Sequence, residues 1–148
     1  MRYLAFAFFL STTIFYIWNG KDSFNKKEWV LFGLKFLASF CIMFILAFVF
    51  KFLATVVGVI SFSTGRNLTA MLWMSINAFF MNRFLIVMIG VIFSRIILFH
   101  RDHNKDNYPE IDDISKRFGP PLFILAKCLI SLGSILIFYG IWLSGSFG

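Results

Sequence analysis

The chain has 148 residues, of which 59% are hydrophobic, 14% charged and 20% aromatic, with Phe alone at 22 positions. An ordinary soluble domain is about half apolar and about a quarter charged, and a fold this short cannot hide so much apolar surface from water. Three Pro, two Cys and high hydrophobicity also exclude collagen, a disulfide scaffold and disorder. The composition is that of an integral membrane protein.

The formal charge is +7. The Lys and Arg residues stand at the ends of apolar runs rather than in a basic arm, so they read as orientation and headgroup signals, not as a nucleic-acid footprint. Cys41 and Cys128 lie mid-way along apolar runs and read as small buried hydrophobes.

The first apolar run, about 3–19, lacks a small-x-small site where it ends at Trp18-Asn19-Gly20-Lys21, and is expected to be a retained span. Link one follows to Glu28, with Lys21, Lys26 and Lys27, and is flanked by Tyr16, Trp18 and Trp29 as an interfacial aromatic belt. The second run covers 34 positions, 29–62, more than the roughly 20 that cross a bilayer core upright. One tilted helix, spanning about 30–60, is expected, with Lys35 snorkelling to one face and Lys51 to the other. Two short re-entrant pieces are the alternative.

The third run, 68–99, holds Asn77, Asn82, Arg83 and Arg95. It reads as one long helix with a polar first half, spanning about 70–99. The other choice is an interfacial stretch (68–81, with Met71, Met74, Ala78 and Met81 on one face) before a shorter span. Residues 100–119 are the one substantial hydrophilic segment and read as a loop. Pro120 and Pro121 then open a fourth span, about 121–143, since proline suits a first helical turn. The fold class expected is therefore all-α: a polytopic transmembrane helical bundle of four spans, one domain over 1–148. Links one and three carry seven Lys and Arg against two on the opposite side, which places both termini on the non-cytoplasmic side.

No Asp or Glu lies inside an apolar run, and neither His does. An intramembrane carboxylate relay and a Ser–His hydrolase therefore lack their parts. H-E-x-x-H and a phosphate-cradling glycine loop are also absent from the sequence. The expectation is no enzyme, no cofactor and no resident metal. Oxygen side chains fall at positions 1, 3, 5, 9 and 12 of Asp102–Asp113. However, Asn107 replaces the turn glycine and Asp113 the long bidentate Glu, so a solvated loop is preferred over a calcium site. His100 and His103, one turn apart with Asp106 nearby, read as interfacial polar residues rather than ligands.

Lys35, Arg95 and Lys127 are expected to snorkel to headgroups. Arg83 differs, since apolar sequence extends on both sides and no acidic residue is expected at its depth. A bare Arg at mid-membrane costs at least about 2.5–3.5 kcal/mol. Either an interfacial position removes that cost, or acceptors come from backbone carbonyls, Asn77, Asn82, a water cavity or a partner's carboxylate. Small residues form stripes: Ala126, Gly133, Gly140 and Ser144 on the fourth run, Ala47, Ala54 and Gly58 on the second, Gly90 and Ser94 on the third. Such faces let helix backbones approach closely in lipid, whether within the chain's own bundle or against another protein.

Two functions follow as expectations. The first is a small non-enzymatic multi-pass protein acting by helix association with a partner membrane protein, with Asn77, Asn82, Arg83 and Lys51 as the polar partner site. The packing face would be Ala126, Gly133, Gly140 and Ser144. Accessory subunits and plasmid or phage immunity and exclusion proteins are of this kind. The alternative is a homo-oligomeric channel with a basic path at Asn77, Asn82 and Arg83. Abundant Phe, Ile, Lys and Asn suggest an AT-rich coding sequence, which fits mobile bacterial elements and organelle genomes alike; base rates and the asymmetry of the basic links favour a bacterial inner membrane.

Overall fold

The computed structural model describes residues 2–144, which form four α-helices and, among the described residues, no strand. They are α1 (Arg2–Asn19), α2 (Lys26–Phe52), α3 (Phe62–His103) and α4 (Tyr108–Trp142). Three helical stretches are long and apolar enough to cross a membrane: Lys26–Val57, Phe62–His103 and Tyr108–Trp142. Together they point to a membrane protein built as a helical bundle.

Each boundary has a local cause. Asn25 caps α2 through a complete capping box: its side chain accepts from the Glu28 amide at 2.9 Å, and the Glu28 carboxylate accepts from the Asn25 amide at 2.8 Å. The helix thus starts three residues before the apolar run. Past Phe52 it widens into a π-turn, Leu53–Val57, and stops at Gly58, whose φ of 70° is a left-handed conformation that glycine adopts without strain. Ser61 caps α3 by accepting from the Thr64 amide. From there α3 runs 42 residues as one helix, the first of the two readings above. At 1.5 Å per residue that is about 63 Å, twice a hydrocarbon core.

The third link corrects an expectation. Residues 100–119 are almost entirely helical, and only Asn104–Asn107 separate α3 from α4. Pro109 sits in the first turn of α4, Glu110 favours its positive end, and Lys116 pairs with Asp112 one turn back at 2.6 Å. A hydrophilic segment can therefore be a solvated helical hairpin. Pro120 and Pro121 lie inside α4 rather than at its start. The twelve residues Asp102–Asp113 are divided between two helices and a turn, so they do not wrap a cation as a loop would.

The topology is up-down-up-down, with α3 as the axis. It packs against all three other helices, whereas α1 touches only α3 and α4, and α2 touches only α3 and the π-turn. An aromatic ladder joins α2 to α3 in antiparallel register: Trp29 meets Phe84, Phe32 meets Phe84 and Phe80, and Phe40 meets Trp73, with centroids 5.7–6.2 Å apart. At the far end Gly65 lets Phe50 approach, since a Cβ there would stand 3.3 Å from its side chain. The apolar core lies between α1, α3 and α4, where Met71, Phe138, Ile141 and Trp142 are buried and Phe9 stacks on both Phe138 and Trp142. Trp142 Nε1 donates to Ser75 Oγ at 2.9 Å, and Ser75 Oγ in turn donates to the Met71 carbonyl at 2.8 Å. That chain satisfies a buried indole inside apolar packing.

Cys41 and Cys128 are exposed on the outside of the bundle, not buried as expected. On a surface that faces lipid a thiol is tolerated as readily as inside.

Candidate functional site: a shared aspartate beneath an arginine

Link one does not swing clear of the helices. Residues 20–25 fold against α3, and two glycines make this possible. A Cβ on Gly20 would stand 2.6 Å from Arg83 Cζ, and one on Gly90 would stand 2.8 Å from the Asp22 carbonyl oxygen. Real side chains do not come so close, so both positions need glycine for this approach.

The consequence is electrostatic. Arg83 is 1% exposed. Its Nη1 donates to the Tyr16 carbonyl at 3.4 Å and stands 4.0 Å from Asp22 Oδ1. Its guanidinium lies 5.0 Å from the Tyr16 ring centroid and 5.6 Å from that of Phe24, in cation–π range of both. Asp22 is claimed more tightly by Lys127 of α4, whose Nζ is 2.8 Å from Oδ1 and 2.9 Å from Oδ2. One carboxylate thus serves two nearly buried cations drawn from different helices. This corrects two expectations. An acidic residue does reach the depth of Arg83, and Lys127 turns inward to Asp22 instead of snorkelling to a headgroup. The neutralisation is incomplete, because Arg83 Nε and Nη2 and Asn82 Nδ2 are buried without a hydrogen-bond partner.

Arg83 also lines a cavity of about 600 Å³ between the end of α1 and the start of α2. Tyr16, Phe24, Phe79 and Phe80 give it aromatic walls, and Lys21, Glu28 and Lys35 add charge. Lys21 and Glu28 form an ion pair of their own.

The other expected site residues are scattered. Asn82 is buried beside Arg83 in sequence, yet neither it nor Asn77 lines the cavity. Asn77 Nδ2 donates to the Trp73 carbonyl at 2.8 Å, a bond within its own helix. Lys51 lies at the opposite end of the α2–α3 pair, in a crevice with Arg66. These four residues do not form one polar path in a single chain. His103 stacks on Phe99, and its Nδ1 lies 3.1 Å from the Phe99 carbonyl. Among the described residues no three His, Cys, Asp or Glu side chains gather as a metal site would require.

The small-residue stripe on α4 has a different fate from the glycines of link one. A Cβ at Gly133 or Gly140 would meet nothing within 4 Å among the described residues, whose packing does not use them. Ser144 closes the stripe with its hydroxyl bonded back to the Gly140 carbonyl.

Asp22, Tyr16 and Gly20 are the site members that sequence reasoning missed. The one available signal was Asp22 itself, an acidic residue two positions after the glycine that follows the first span. Comparison with protein families, with characterised proteins and with solved structures finds no match to this chain.

Proposed function

We propose that this is a small, non-enzymatic, multi-pass membrane protein that works by helix–helix association with a partner membrane protein. The observation that carries the reading is the open stripe on α4. Gly133 and Gly140, in register with Ala126 and Ser144, offer the close approach that helix contact needs, and none of the described residues fills the space at the two glycines. Arg83 turns inward to Asp22, so in this reading it braces the bundle while α4 meets the partner. An accessory subunit of a membrane complex fits a chain with so little mass outside its helices, as does an immunity or exclusion protein of a bacterial plasmid or phage.

In the same reading α1 is a fourth span. Its 18 residues reach about 27 Å, near a hydrocarbon thickness. The alternating helix directions put links one and three, which hold seven of the fourteen Lys and Arg, at the same end of the bundle. That end is the cytoplasmic one under the positive-inside rule, with both termini across a bacterial inner membrane.

Copurification from a mild detergent tests the proposal. A defined membrane protein should accompany the wild-type chain, and Gly133→Leu with Gly140→Leu should release it while the helical circular-dichroism signal and melting temperature hold. Retention of the same partner by the doubly substituted chain would refute the α4 face, and a wild-type chain that purifies alone would refute association.

A further inference from the structure

Because the backbones of α1 and α2 do not come close to one another, α3 forms the floor of a crevice between them. The crevice has two parts that meet at Lys35, Phe79 and Phe80. At the link-one end is the charged cavity over Arg83. Continuing along α3 is an apolar groove of about 390 Å³ walled by Phe8, Phe9, Ala38, Ile42 and Ile76. A basic head joined to an apolar channel is the shape of a phospholipid.

The charges agree in sign and number. Asp22 offsets one of Arg83 and Lys127, and Lys21 and Glu28 offset each other. Lys35 has no partner among the described residues. The site is left with an excess of two positive charges and with two unpartnered donors on an Arg that is 1% exposed. Buried unpaired donors are rare in native proteins and are usually met by a ligand or an ordered molecule. A phosphate group supplies both the charge and the acceptor oxygens, and Arg suits its geometry.

We infer that the crevice between α1 and α2 binds one anionic membrane phospholipid, its phosphate in the cavity formed by Arg83 and Lys35 and an acyl chain in the Phe9–Ile42 groove. The lipid would then complete the bundle where the two backbones stay apart, independently of any protein partner on α4.

Native mass spectrometry of the full chain, delipidated in detergent and then supplied with phosphatidylglycerol, phosphatidylcholine or inorganic phosphate, tests this. Wild type should retain one phosphatidylglycerol in clear preference to phosphatidylcholine. Lys35→Gln, at an exposed position that leaves the bundle intact, should weaken that retention about fivefold, the effect of roughly one basic residue near a lipid surface. Ala38→Trp should block the groove and remove the lipid, and an unchanged melting temperature without lipid would show that the chain still folds. Equal retention of the two lipids would overturn the inference, as would lipid binding unchanged by both variants. Inorganic phosphate matching the lipid's stabilisation of the melting temperature would also overturn it, since the anion alone would then be the ligand.

Discussion

The two halves of α3 solve the problem of holding helices together in opposite ways. Around Met71 the contacts are mostly apolar and uncharged: the buried Trp142–Ser75 pair is satisfied, while Trp73 Nε1, also in this half, is buried without a partner. Around Arg83, two cations from different helices converge on one carboxylate contributed by a link, with donors left over. The first half buries no charge. The second holds its geometry through charge that the chain only partly balances, which is where a binding function is expected to sit.

The sharpest way to break this contrast is to remove one member from each half. Phe138→Ala, at a fully buried aromatic, should cost about 3 kcal/mol and be read as a lower midpoint in detergent unfolding. Asp22→Asn should cost about 2–3 kcal/mol, because it strands both Arg83 and Lys127; the figure is held below that of a fully buried pair because the Asp22 side chain is 46% exposed. Lys127→Met should be much milder, since Asp22 can then serve Arg83 alone. If Lys127→Met proves as damaging as Asp22→Asn, the shared-aspartate description is wrong.

Glycines sharpen the same comparison at smaller scale. Gly20→Ala forces a methyl into the Arg83 guanidinium and should cost about 1–3 kcal/mol, whereas Gly133→Ala should stay within about 0.5 kcal/mol on the isolated chain. Equal effects at both positions, measured by thermal unfolding, would erase the distinction between crowded and open glycines. Trp142→Phe, which removes the bond to Ser75, should cost about 0.6–1.7 kcal/mol on the scale of intramembrane hydrogen bonds. A double-mutant cycle with Ser75→Ala isolates it, and zero coupling would mean that the bond contributes nothing.

Much of the architecture was legible because hydropathy reports length and period directly. The helical nature of all four runs, the continuity of α3 through Asn77 and Arg83, and the small-residue stripe on α4 all follow from one-dimensional patterns. What hydropathy hides is depth. Asp22 lies in a polar link, and nothing in its own neighbourhood says that Gly20 and Gly90 let that link sink onto α3. The loop expected at 100–119 failed for a related reason. High charge reads as absence of structure, yet Ile111, Ile114 and Phe118 keep a helical spacing and Asp112 precedes Lys116 by one turn. The inward turn of Lys127 is invisible in its own neighbourhood because its partner comes from 105 positions away.

That separation carries a consequence for biogenesis. Since α1 finds all its neighbours on α3 and α4 and none on α2, the first helix leaves the ribosome long before anything exists for it to pack against. At roughly 5–20 residues per second, Asp22 waits on the order of 5–20 s for Lys127 to be synthesised. Over that interval the nascent amino-terminal segment depends on lipid, or on the insertion machinery, for company.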